Sequence, residues 1–100
     1  MTAATLPTLF VSHGAPLFAT DAGTTGPALR AWAQTHAPAE ALRGIVVMSP
    51  HWMARTPAVM TNPAPATWHD FGGFPAELYQ LQYPAPGSVE LGRQVLGQLQ

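Results

Sequence analysis

Two short apolar runs set the pattern of the chain. Leu9-Phe10-Val11-Ser12-His13-Gly14 and Ile45-Val46-Val47-Met48-Ser49-Pro50-His51-Trp52 each stay hydrophobic until a serine and then, within two positions, a histidine. A continuous apolar run of this length suits a strand buried on both faces, as in parallel sheets. Strands are therefore expected over residues 8–12 and 45–49. Between them, Pro27 suits a first helical turn, and Leu29, Trp32, Ala33 and His36 recur at helical spacing until Pro38. This predicts a helix over residues 27–35, with a short continuation over 39–42 leading through Gly44. Strand, helix, strand at this spacing is a right-handed βαβ unit.

The second half is more broken. Residues 58–61 could make a third, shorter strand, but Asn62-Pro63-Ala64-Pro65 beside them is turn chemistry and favours an irregular connection. An aromatic and glycine-rich loop, His69-Asp70-Phe71-Gly72-Gly73-Phe74-Pro75, leads to an expected helical turn over 76–80. Tyr83-Pro84-Ala85-Pro86-Gly87 is a rigid connector, after which Ser88 reads as an N-cap with Glu90 in the first turn. Leu91, Val95 and Leu99, with Leu96 beside them, form the apolar stripe of a last helix that has no stop signal. The expected fold class is α/β, the βαβ start of a mostly parallel sheet with helices packed on it. Residues 1–100 read as the amino-terminal part of a single, incomplete domain.

Composition narrows the partners. Charged residues are 9% of the 100 and hydrophobic ones 47%, against about 25% charged in ordinary soluble domains. The four cations, Arg30, Arg43, Arg55 and Arg93, are spread out and the net charge is -1, so no basic face is available for nucleic acid. Cysteine is absent, leaving histidine and carboxylate as metal ligands. No stretch approaches the ~18 apolar residues of a membrane span, and a cytoplasmic protein is expected.

The chemistry is expected at the strand ends. Ligands of open α/β sheets bind beyond the carboxyl ends of the strands, and neighbouring parallel strands lie about 4.8 Å apart, so His13 and His51 are candidate ligands of one metal ion. Gly14 lets backbone approach a ligand closely, and Trp52 supplies an apolar wall. His36, at a helix end, is explained by the helix dipole alone. Ser12 and Ser49 lack the G-x-S-x-G elbow of a nucleophile and are expected to hydrogen-bond in their loops. For residues 69–74 two readings stand: the aromatics plug a sheet edge, or Phe71 and Phe74 wall a flat pocket in which His69 serves as proton donor.

Three motifs in order carry a family resemblance: Thr8-Leu9-Phe10-Val11-Ser12-His13-Gly14-Ala15-Pro16, Val46-Val47-Met48-Ser49-Pro50-His51-Trp52, and His69 to Pro75 with Leu78-Tyr79 and the 83–87 connector. Together they resemble the class III extradiol ring-cleavage dioxygenases, in particular their DOPA 4,5-dioxygenase-like branch, over about the first third of a family member. The resemblance implies a non-haem Fe(II) enzyme, with zinc able to occupy the same site, that opens a catechol-type aromatic diol with O2. It assigns His13 and His51 to the metal and matches His69 to a histidine recurrent in the family's H-D-F-x-G-F-P loop, taken as pocket-forming. Gly14, Trp52, Phe71 and Phe74 as substrate contacts and His69 as an acid–base helper rest on the reading of the residues themselves. Two alternatives remain open: a zinc-dependent hydrolase or other metal enzyme, and a non-catalytic truncated chain that binds metal weakly or only associates with other chains.

Overall fold

Residues 5–100 are described by a computed structural model of the chain. Its regular structure is helical. A 3-10 turn, Pro16–Ala19, follows Gly14, whose φ of 69° lies in the left-handed region open chiefly to glycine. Helix α1 spans Thr25–His36 and closes where the Ala37 N–H donates to the Ala33 carbonyl at 2.8 Å, just before Pro38. A second 3-10 turn covers Ala39–Ala41, a single helical turn α2 covers Ala76–Tyr79, and α3 covers Val89–Leu99.

The helices lie where local chemistry placed them. Ser88 caps α3, its hydroxyl accepting from the Leu91 N–H at 3.1 Å, and Glu90 occupies the first turn. Leu91, Val95 and Leu96 are half-buried, while Leu99 at the end of the stripe stays exposed. On α1, Leu29, Trp32 and Ala33 are half-buried, and the His36 ring lies 5.1 Å from that of Trp32.

Gly92 is the buried point of α3, and a Cβ there would sit 3.0 Å from Thr61 Cγ2 and 3.3 Å from the Met60 carbonyl. Gly97, one and a half turns on, faces open space. Alanine is favoured over glycine inside a helix by about 0.5–1 kcal/mol. Gly97→Ala should therefore raise the helical circular dichroism and thermal midpoint, while Gly92→Ala should gain less or lose.

The expected sheet is not formed. Among the described residues there is no strand, and residues 8–12 and 45–48 make no backbone-to-backbone hydrogen bond. A strand exists only through the ladder to a neighbour, and these two apolar runs make no such ladder here. The βαβ start of a mostly parallel sheet is thus corrected to helices and turns joined by irregular chain.

An ordered pairing of distant segments does form, of a different kind. Gly87 N–H donates to the Pro63 carbonyl at 3.0 Å, Tyr83 N–H to Thr67 Oγ1 at 2.9 Å, and His69 Nε2 to the Leu81 carbonyl at 2.6 Å. Residue 63 faces 87, 67 faces 83 and 69 faces 81, which is the register of an antiparallel pair with α2 at its tip. Prolines 63, 65, 84 and 86 supply no N–H, so side chains of Thr67 and His69 stand in for part of a ladder. α2 packs against the 3-10 turn Pro16–Ala19 and buries Leu78 to 1% exposure.

Little else is covered. Phe10 is 100% exposed, Met48 97% and Val47 78%. The chain exposes 8874 Å², where a folded monomer of its 10.6 kDa exposes about 5,500 Å². Its radius of gyration is 16.0 Å, against about 13 Å for a compact domain of 100 residues. No helix of the described residues is long and apolar enough to cross a membrane.

Candidate functional site

The loop 67–74 is where distant segments meet. Asp70 Oδ2 accepts from His51 Nδ1 at 2.7 Å, joining this loop to the end of the second apolar run. The His51 backbone N–H donates to Ser49 Oγ at 3.2 Å, the hydrogen-bonding work expected of that serine. Both side chains of the His51–Asp70 pair are open to water, at 59% and 63% exposure, so solvent screens it and its net worth is small.

Two open clefts share the pair as a wall. The larger, of about 590 Å³, is lined by His13, Gly14, Phe18, His51, Phe71 and Phe74 among others. The smaller, of about 490 Å³, is lined by His51, Thr67, Trp68, His69 and Asp70. Five of the residues singled out from the sequence, His13, Gly14, His51, Phe71 and Phe74, therefore stand around one space. Trp52 lies outside both clefts and is exposed.

His69 is occupied elsewhere. A carbonyl only accepts, so the contact with Leu81 places hydrogen on Nε2 of His69 and ties the ring to the chain's own backbone. Phe71 is likewise engaged: its ring lies 5.6 Å from Phe74 edge-on, 4.8 Å from Tyr79 and 6.2 Å from His69. The loop's aromatics thus pack on one another beside the cleft. Asp70 was not among the residues expected to act. A carboxylate directly after a histidine was the only signal for it, and its partner lies 19 positions away.

The donor set does not fit the expected metal. Among the described residues no group of three or more histidine, aspartate or glutamate side chains comes together in a way that could hold an ion. His13 and His51 share a cleft, but two imidazoles are one donor short of the three that such a centre takes from the protein. The expected Fe(II) or zinc centre is corrected accordingly.

The chain is similar to DOPA dioxygenases. It is 36% identical over 96 residues to the 4,5-DOPA dioxygenase extradiol of Escherichia coli (strain K12), covering 96% of this chain and 34% of the relative. To the 4,5-DOPA dioxygenase extradiol of Beta vulgaris it is 38% identical over 89 residues, covering 88% of this chain and 33% of the relative. The chain thus spans about a third of the length of these relatives. No family model matches it, and no solved structure does.

The likeness lies in sequence and does not extend to the fold. With no strand among the described residues and no three-ligand cluster, these residues lack the sheet scaffold and the metal centre of an extradiol dioxygenase. Membership of that family, ring cleavage of a catechol-type diol with O2, and the enzyme assignment itself are overturned on those two findings. The alternatives kept open from the sequence fit these two findings better than an extradiol dioxygenase does.

Proposed function

We propose that residues 1–100 are part of one larger domain and, taken alone, do not catalyse a reaction. They associate with further polypeptide, to which they bring the apolar runs at 9–11 and 45–48 and one wall of a ligand cleft around His13, Gly14, His51, Phe71 and Phe74. The proposed compartment is the cytoplasm. The observation that carries this reading is the uncovered surface: about 3,400 Å² more than a folded monomer of this mass exposes.

Physical chemistry links that surface to the lack of turnover. Catalytic groups must be held within about 0.5 Å of productive geometry by packed neighbours. His51 and Asp70 instead stand more than half exposed on irregular chain. Exposed apolar patches larger than a few hundred Å² mark interaction surfaces in stable proteins. Large aliphatic side chains gain about 1.5–3 kcal/mol each when covered, so the drive to associate is strong.

Two measurements test the reading together. The isolated chain, supplied with Fe(II) and a catechol in air, should consume no oxygen above the protein-free rate. Sedimentation should show concentration-dependent association. Steady oxygen uptake with a coloured ring-opened product, or a monomer that stays monomeric at high concentration, contradicts it.

A further inference from the structure

The His51–Asp70 contact fixes more than a distance. An ionised carboxylate has lone pairs and no hydrogen to give, so at 2.7 Å the shared hydrogen belongs to His51 Nδ1. We infer that Asp70 is a positioning residue for His51: by accepting from Nδ1–H it favours that tautomer and leaves the Nε2 lone pair as the acceptor His51 offers to the clefts.

The adjacent residue is set the opposite way. His69 carries its hydrogen on Nε2, because the Leu81 carbonyl at 2.6 Å can only accept. Two imidazoles that line the same cleft are therefore held in opposite forms, one by a side chain and one by the backbone. Which ring nitrogen is free decides what an imidazole can bind. The ligand group that suits His51 is a hydrogen-bond donor, a hydroxyl or an N–H, rather than a carbonyl. This last step rests on the reading of the cleft as a ligand wall; the tautomer itself does not.

The size of the effect follows from exposure. With both partners more than half open to water, the bias is at most about fivefold in the ratio of the two forms. Without an acceptor, an imidazole in water favours Nε2–H.

Long-range proton–nitrogen NMR of the ¹⁵N-labelled chain at alkaline pH reads each ring's form directly. The ratio of Nδ1–H to Nε2–H at His51 should fall by about two- to fivefold in Asp70→Ala. Asp70→Asn, whose amide carbonyl still accepts, should keep part of it, and His69 should stay Nε2–H throughout. A ratio within twofold of the wild type in Asp70→Ala overturns the inference. His36 gives a second comparison within the wild-type spectrum, since its ring has no hydrogen-bond partner among the described residues. His51 should be richer than His36 in the Nδ1–H form, and equal ratios overturn the inference even if the alanine variant does not fold. Oxygen uptake and association, which test the proposed function, do not enter this result.

Discussion

Leu78→Ala should undo the best-packed point of the molecule. Leu78 is the one large side chain buried to 1% among the described residues, and it lies on α2 where that turn meets Pro16–Ala19. Truncating a buried leucine costs about 2–5 kcal/mol, the loss of transfer free energy plus the cavity left behind. A four-residue helix cannot survive that on its own, because isolated helices shorter than about 12 residues are marginal in water. The expected result is loss of near-ultraviolet circular dichroism from the Phe71, Phe74 and Tyr79 cluster, with α3 unaffected. Leu78→Met conserves volume and should cost less than about 1.5 kcal/mol.

Gly87→Ala should open the paired segments that carry His69. A Cβ on Gly87 would collide with the Asn62 carbonyl oxygen, which is backbone and cannot turn aside. The same residue donates its N–H to the Pro63 carbonyl at 3.0 Å. Forcing a methyl group into a filled space costs about 1–3 kcal/mol, and here it also displaces a hydrogen bond. Its effect should spread along the register to Tyr83–Thr67 and His69–Leu81. In NMR spectra the His69 ring should lose its fixed Nε2–H form, whereas the Gly97→Ala spectrum should leave it in place.

The parts legible in the sequence were those that a few neighbouring residues determine. The N-cap at Ser88, the spacing of Leu91, Val95 and Leu96, and the stop at Pro38 are local, and α1 and α3 stand within two residues of where they were expected. The strands were not legible in this sense. Ile45, Val46 and Val47 favour extended chain by type, but a strand also needs a hydrogen-bonded neighbour, and no amino acid in the run states whether one is present. The antiparallel register of 63–69 with 81–87 was equally hidden. It is set by Thr67 and His69, whose partners lie 16 and 12 positions away, and by prolines that remove the ordinary ladder.

The site divides in the same way. The matching ends of the two apolar runs pointed to His13 and His51, and the structure sets both beside one cleft with Gly14, Phe71 and Phe74. The metal expected between them needs a third donor in the right place, which is a question of packing rather than of motif. Trp52 was placed by adjacency to His51, yet neighbours along an irregular chain need not face the same side. Asp70 reached His51 because the turn at 69–71, closed by Phe71 N–H donating to the His69 carbonyl at 2.9 Å, sends consecutive side chains to different partners.

Amide hydrogen exchange over residues 8–12 and 45–48 of the isolated chain, at a concentration low enough to keep it monomeric, probes the uncovered runs most directly. Exchange at the rate of an unstructured peptide, alongside slower amides in α1 and α3, is what unpaired apolar segments awaiting a partner must give. Slow exchange in both runs would mean that they already form a hydrogen-bonded sheet, and that these 100 residues need no other chain to fold.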